Sequence, residues 1–143
     1  MTDATVKTPE GLSAFRIAEG DRNYFACLAD PVAEGAPFVM VVEIYEPGGA
    51  TPPNTHAAAW EHFYILKGEG RGICDGRSVD LGPGSTLLIP PGREHVVENT
   101  GPGKLYALTT MVPDEGFAAL IRGGIPVALD GEDLAVLRGA APV

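Results

Sequence analysis

Residues 84–99 read GSTLLIPPGREHVVEN, and this stretch decides the class of fold. The apolar run 86–89 and the segment 94–98, which contains two adjacent valines, lie on either side of Pro90-Pro91-Gly92. Runs of this length that are rich in Leu, Ile and Val are typical of β-strands. Pro and Gly between such runs favour a tight turn. The stretch therefore predicts two short strands separated by a turn.

The same pattern extends along the chain, which has 19 Gly and 13 Pro among 143 residues, placed at intervals between short apolar runs. Asp75-Gly76 predicts a type I′ hairpin, because both central residues of that turn need positive φ. Nine strands are predicted, at 14–17, 23–28, 37–46, 60–67, 70–74, 78–81, 86–89, 94–98 and 104–111. Antiparallel strands in such number, with no helices between them, close best as a structure that hides the sheet edges. We therefore predict an all-β fold, an antiparallel β-barrel or jelly roll.

Two short helices are predicted after the last strand. Asp114 can cap a helix over 115–122, at the end of which glycines follow. Asp130 can cap a second helix over 132–137, and Asp133 lies near the position that reaches back to the cap. We expect both helices to cover one end or flank of the barrel.

The length of the chain suits one domain, because 143 residues bury enough surface to form a self-sufficient core. We expect a single domain over 1–143. Its core would span about 37–111, with N-terminal strands within 12–30 and a C-terminal helical segment at 114–138.

Charge and composition exclude several classes of function. Ten Lys and Arg against 19 Asp and Glu give a formal net charge of −9, which repels phosphate backbones and anionic lipid headgroups. The longest apolar run, 38–42, is far shorter than the roughly 20 residues that a membrane-spanning helix needs. The N-terminus lacks the basic start and apolar stretch of a secretory signal, and Cys27 and Cys74 show the sparse usage of a reducing compartment. We expect a cytoplasmic protein with two free thiols and no nucleic-acid or membrane partner.

The residues that can carry chemistry are concentrated in two segments. All three histidines, His56, His62 and His95, lie within 40 positions of one another. Asn54 and His56 are two apart, so their side chains share one face of an extended chain. Glu61 opens the next strand, and the residues between can return its carboxylate to His56. Any single His is more often structural, but two imidazoles and a carboxylate can converge here inside the fold.

Both segments resemble the signature motifs of the cupin superfamily, over about residues 37–111. The first motif is Gly, five residues, His-x-His, three or four residues, Glu, six residues and Gly. The second is Gly, five residues, Pro-x-Gly, two residues, His, three residues and Asn. The corresponding positions are Gly48, Asn54 in place of the first His, His56, Glu61, Gly68, Gly84, Pro90, Gly92, His95 and Asn99. The chain is therefore similar to small, single-domain cupins.

The resemblance implies a divalent transition metal near the centre of the barrel. His56, Glu61 and His95 take the family's ligand positions, and we expect them to carry metal binding and catalysis. Asn54 is a weaker fourth ligand, because an amide oxygen binds such metals less well than an imidazole. Two imidazoles and a carboxylate match the ligand set of non-haem Fe(II) oxygenases, so we favour iron, with manganese, nickel and zinc left open. A fold that has lost its metal, with Asn54 only hydrogen-bonding, is the alternative.

Strand alternation sends neighbouring side chains to opposite faces. If Glu61 points inward, Phe63 and Ile65 line an apolar pocket with it, and His62 points outward as a packing residue or subunit contact. Such a pocket suits a small organic substrate. Three further aromatic residues can add a wall or a proton donor, although core packing is the simpler role: Tyr45, Trp60 and Tyr106.

Cupins share one scaffold among many reactions, so the fold does not decide the function. We expect a metal-dependent enzyme that acts on a small organic metabolite, and we favour a dioxygenase resembling the quercetin- and diketone-cleaving cupins. A metal-dependent isomerase or lyase, with Glu61 or a pocket Tyr moving the proton, is one alternative. A non-catalytic protein that binds a small ligand is the other. A homodimer is expected because cupin barrels commonly pair through their sheets, and because the run 38–42 predicts a strand buried on both faces.

Overall fold

The computed structural model describes residues 3–139 and confirms an antiparallel all-β fold with a few short helices. The strands are β1 Ala14–Arg16, β2 Asn23–Ala29, β3 Val39–Tyr45, β4 Trp60–Lys67, β5 Gly70–Cys74, β6 Arg77–Leu81, β7 Thr86–Ile89, β8 His95–Asn99, β9 Leu105–Val112 and β10 Ile125–Pro126. The helices are α1 Pro31–Glu34, α2 Phe117–Arg122 and α3 Gly131–Leu137. All nine predicted strands are present, with ends within two residues of prediction, whereas α1 and β10 were not predicted. No helix among residues 3–139 is long and apolar enough to cross a membrane.

The strands form two sheets. The larger has the order β10-β1-β2-β3-β9-β4-β7, and the smaller has the order β6-β5-β8. Every paired strand is antiparallel, and β9 returns to lie between β3 and β4, a non-local pairing typical of jelly rolls. The predicted jelly roll is thus present as a sandwich of two sheets, and strand pairing within residues 3–139 does not join them into one closed barrel.

Turn and cap residues act largely as the sequence indicates. Asp75 and Gly76 have φ values of 50° and 80° between β5 and β6, which confirms the type I′ hairpin. Helix α2 begins at Phe117, two residues later than predicted, yet Asp114 still accepts hydrogen bonds from backbone N–H groups at its start. Helix α3 has the capping box that Asp130 and Asp133 predict.

Asp133 also attaches α3 to the outer face of the larger sheet. Its buried carboxylate accepts hydrogen bonds from the hydroxyls of Tyr24 (2.8 Å) and Tyr106 (2.6 Å) and from Lys104 Nζ (3.1 Å). This network is fully paired, and it places Tyr106 on the face of the sheet away from the histidines.

The apolar strand β3 is buried on both faces, as predicted, but the chain itself supplies the cover. Val42 and Ile44 pack in an outer cluster with Val136 and Leu137 of α3. The inner face of β3 points into the sandwich. The run 38–42 is therefore buried within a single chain, so its apolar character gives no support to a dimer. Cys27 and Cys74 are free thiols.

Candidate metal centre

Backbone pairing brings the two motif segments together. Asn54 and His95 form an isolated antiparallel bridge, in which each backbone N–H donates to the other's carbonyl, at 3.2 Å and 2.9 Å. The N–H of Gly92, in the turn before β8, donates to the carbonyl of His56 at 2.8 Å. Gly92 has a φ of 82°, which favours glycine at this turn. The turn therefore fixes His56 beside the start of β8.

Three predicted site residues meet inside the sandwich. The Nε2 atoms of His56 and His95 lie 3.1 Å and 2.7 Å from Oε1 of Glu61. One ligand atom from each residue lies within 4.8 Å of the others, so the group could hold a metal ion. Their side chains are 15%, 5% and 2% exposed for His56, Glu61 and His95. Two imidazole nitrogens and a carboxylate oxygen, shielded from water, are a donor set that suits a divalent transition metal.

Neighbouring groups orient these ligands. Nδ1 of His95 donates to the carbonyl oxygen of Arg93 at 3.1 Å, which leaves Nε2 directed toward Glu61. Burial raises the pKa of Glu61, but hydrogen bonds from His56 and His95 outweigh burial and hold the pKa below its ordinary value. Burial lowers the pKa of His95, but the hydrogen bonds to Glu61 and to the carbonyl of Arg93, together with the negative charges of Glu61 and Glu43, outweigh burial and keep the pKa above its ordinary value. Glu61 is thus held as a carboxylate, the form that binds a cation.

The alternation predicted for β4 is present. Glu61 and Phe63 are buried and line the cavity beside the histidines, and the ring of Phe63 packs edge-on against His95. His62 is half-buried on the outer face, opposite Leu88 of β7. Ile65 is also buried on the inner face, but it packs in the core beyond the cavity, so the prediction that it lines the pocket was wrong.

Asn54 lies on the wall of the same cavity. Directly opposed residues of an antiparallel bridge project to the same side, so its pairing with His95 points both side chains to one face. Its place in the wall is consistent with the predicted role of a weak fourth ligand.

The cavity in front of the histidines has a volume of about 490 Å³. Its apolar wall comprises Ile17, Phe25, Phe63, Met111, Phe117 and Leu120. A volume of this size is typical of sites for small organic ligands. No tyrosine or tryptophan within residues 3–139 lines it, so Tyr45, Trp60 and Tyr106 do not supply the pocket wall that the sequence left open.

Besides Asp21, two carboxylates that the motifs do not contain line this cavity. Glu115 follows β9, and its Oε2 lies 3.7 Å from Nδ1 of His56, while its Oε1 accepts a hydrogen bond from the N–H of Ala58. Glu43 lies in the middle of β3 and is buried. The only sequence signal for Glu43 was that it is a charged residue within the apolar run of β3. No local pattern marks Glu115.

Comparison with known proteins agrees with the motifs. Residues 41–111 match the family model described as the cupin domain. The chain belongs to the cupin superfamily. The matched segment begins in β3 and ends in β9, so it contains both motifs and all three residues of the candidate centre.

Known proteins resemble this chain in sequence and in fold. The chain is 27% identical over 105 residues to an oxalate-binding protein of Thermotoga maritima, a match that covers 73% of this chain and 87% of the relative. A crystal structure of a predicted oxalate decarboxylase from Thermotoga maritima has a TM-score of 0.68 and 24% identity, covering 76% of this chain and 99% of that one. A structure of oxalate oxidase has a TM-score of 0.59 and 23% identity, covering 68% of this chain and 54% of that one. The two structures establish the likeness of fold.

Proposed function

We propose that this cupin is a metal-dependent enzyme that acts on a small organic metabolite as an iron-dependent dioxygenase. The observation that carries the proposal is the convergence of His56, Glu61 and His95 on one wall of a large, mainly apolar cavity. We assign these three residues as the metal ligands and Asn54 as a weak fourth. Three strong protein ligands leave coordination positions for substrate and dioxygen.

Each residue of the site has a definable task in this proposal. When bound, the metal would supply Lewis acidity to an enol or carboxylate oxygen of the substrate. Glu61 contributes the negative charge, and the carbonyl of Arg93 holds the His95 ring in place. Phe63 and Met111 keep water from the metal-facing wall and offer apolar contact to the carbon skeleton of the ligand.

A second candidate function is binding of a small organic acid without catalysis. The relative of 27% identity that is named an oxalate-binding protein supports it. A cavity of about 490 Å³ is much larger than oxalate requires, which favours a larger molecule that carries a similar acidic group. An isomerase or lyase is the other alternative, and such reactions need a residue that moves protons. Glu61, the residue that the sequence assigns to this task, is engaged by both imidazoles.

Nitric oxide tests whether the centre has the open coordination position that a dioxygenase needs. We expect Fe(II)-loaded protein to bind nitric oxide, a mimic of dioxygen, and to give a high-spin electron paramagnetic resonance signal. The zinc-loaded protein serves as the control and should give none. An Fe(II)-loaded protein without this signal, or full turnover of a substrate under strict anaerobiosis, would exclude the dioxygenase.

We also propose that the chain forms a homodimer through the outer face of β4, β7 and β9. Three large apolar side chains on this face are about half exposed: Trp60 (50%), Leu88 (56%) and Val112 (49%). Trp60 is opposite Val112, and Leu88 is opposite His62, so they form one patch on adjacent strands. The other part of this outer face is covered by α3. A second copy presenting the same patch would bury these three apolar side chains together with His62.

Light scattering at low micromolar concentration should give the mass of a dimer. Leu88→Glu is expected to shift the mass to that of a monomer, because it places a charge in the contact. Val79→Glu is the matched control, since Val79 is 47% exposed on β6 of the smaller sheet and should leave the dimer intact. A monomeric wild type would contradict the dimer, and dissociation by both variants would contradict this interface.

A further inference from the structure

We propose that Glu43 is a ligand-contacting residue of this cavity, a carboxyl group that donates a hydrogen bond to an oxygen atom of an organic anion held at the His56–Glu61–His95 centre. The proposal rests on the proposed function, because it needs a ligand bound at that centre. It extends the site to a residue on β3, outside both motifs.

The position of Glu43 is fixed by the larger sheet. Glu43 pairs with Phe25 of β2 on one side and with Ala107 of β9 on the other. Phe25 and Glu43 both line the cavity, as do Glu61 and His95. Glu43 therefore lines the same cavity as the candidate metal ligands.

Glu43 differs from the other buried carboxylates of the protein. Four Asp and Glu residues within 3–139 are almost fully buried: Asp30, Glu43, Glu61 and Asp133. Three of these have a basic partner, which is Arg122 for Asp30, the two histidines for Glu61, and Lys104 for Asp133. Within the same residues, no Lys, Arg or His forms an ion pair with Glu43. Burial of an unpaired carboxylate is costly, so this position favours the neutral acid.

Hydrogen-bonding capacity around Glu43 is left unused. Nδ2 of Asn23 donates a hydrogen bond to Oε2 of Glu43 at 3.2 Å. Oδ1 of Asn23 is buried without a hydrogen-bond partner within the described residues. Asn23 itself lines the cavity. Buried polar groups normally find partners, so a polar molecule in the cavity would complete this cluster.

The protonation state fits donation. Burial, and to a smaller extent the negative charge of Glu61, raise the pKa of Glu43 to about 8, although hydrogen bonding to the hydroxyl of Tyr45 and to Asn23, and the charge of His95, act in the opposite direction. Near neutral pH the group is then a carboxylic acid whose O–H can donate to an anion. The other charged groups around the cavity are at its mouth or at the candidate centre: Asp21, Arg22, His56 and Glu115. None of them forms an ion pair with Glu43 within the described residues.

Binding of oxalate to the metal-loaded protein tests the proposal, with affinity measured by titration calorimetry and metal content measured first. At about pH 7, Glu43→Gln should keep the affinity within about 3-fold, because its amide still donates, whereas Glu43→Leu should lose about 10-fold with unchanged metal content. As the pH rises through the pKa of Glu43, the wild type should lose affinity relative to Glu43→Gln, because an ionised carboxylate cannot donate to an anion and repels it. Glu69→Gln is an exposed control for the change in charge and should behave like wild type.

The outcomes separate this proposal from the proposed function. A protein that binds no metal would overturn the proposed function. Metal-loaded wild type that binds no oxalate, or binds it with the same affinity as Glu43→Leu, would overturn the role of Glu43. Tighter binding by Glu43→Gln at about pH 7 would show that Glu43 is ionised and not a donor. Infrared spectra give a check without metal: a carbonyl band of a protonated carboxyl group should be present in wild type and absent in Glu43→Gln, and its absence from wild type overturns the proposal.

Discussion

Replacing His95 with alanine is expected to reduce the metal content of the purified protein from about one ion per chain to almost none. His95 supplies one of three strong ligands, and its Nε2 is the atom nearest to Glu61. With two protein ligands left, the site falls below the three that open metal sites in enzymes normally retain. Elemental analysis of protein produced in metal-replete medium measures the effect. His56→Ala should give the same loss.

His62→Ala is the matched control for this experiment. It removes the same side chain from β4, but on the outer face of the sheet, and the metal content should not change. Because His95 is buried, His95→Gln should be measured as well, since it fills more of the space and reduces the chance that unfolding explains the loss. Thermal unfolding curves show whether each variant is folded. Unchanged metal content in folded His56→Ala and His95→Ala would place the metal elsewhere.

The strands were predictable because their ends are set locally. Gly and Pro in the turns, and Asp75-Gly76 in particular, interrupt apolar runs at positions that the backbone conformation requires. The alternation of β4 was equally local, and it correctly separated Glu61 from His62. Helix α1 is only four residues long and begins with a proline, so no periodic apolar pattern marks it.

The candidate centre was predictable only through the spacing of two motifs. Residues at 54, 56, 61 and 95 are matched to the family one by one. In the structure, backbone pairing of Asn54 with His95 holds the two motif segments side by side, which explains why residues so far apart in the sequence meet at one site. The position of β9 between β3 and β4 is a non-local pairing that no local pattern reports. For that reason the sequence did not reveal Glu115 near His56.

The surroundings of the buried charged residues were also not predictable from the sequence. Asp133 was predicted as a capping residue, and it is one, but its carboxylate also accepts from Tyr24 and Tyr106 across the outer face of the larger sheet. Glu43 was visible as the residue that breaks an apolar run, yet its lack of a basic partner depends on strands far apart in the chain. Ile65 shares a face with Glu61, but the cavity ends before reaching it.

Asn54→His is expected to bind metal about 10- to 100-fold more tightly than the wild type. Asn54 lines the cavity and is bridged to His95, so the new imidazole would be placed on the side of the candidate centre. An imidazole nitrogen is a better donor than an amide oxygen for divalent transition metals, and the family has an imidazole at this position. Competition with a chelator of known affinity measures the change.

The same substitution should weaken ligand binding and turnover, because an imidazole would hold firmly the coordination position that the weakly bound amide of Asn54 can yield to substrate or dioxygen. Oxalate affinity of the metal-loaded variant measures this second effect without requiring the natural substrate. Thr55→His is the matched control. The side chain of Thr55 is exposed, and because it follows Asn54 in an extended segment it points to the opposite side. This substitution therefore adds an imidazole without adding a metal ligand. Equal metal affinity in wild type and Asn54→His would mean that position 54 does not face the metal. Tighter metal binding with undiminished oxalate affinity would mean instead that the fourth protein ligand and the organic anion use different coordination positions.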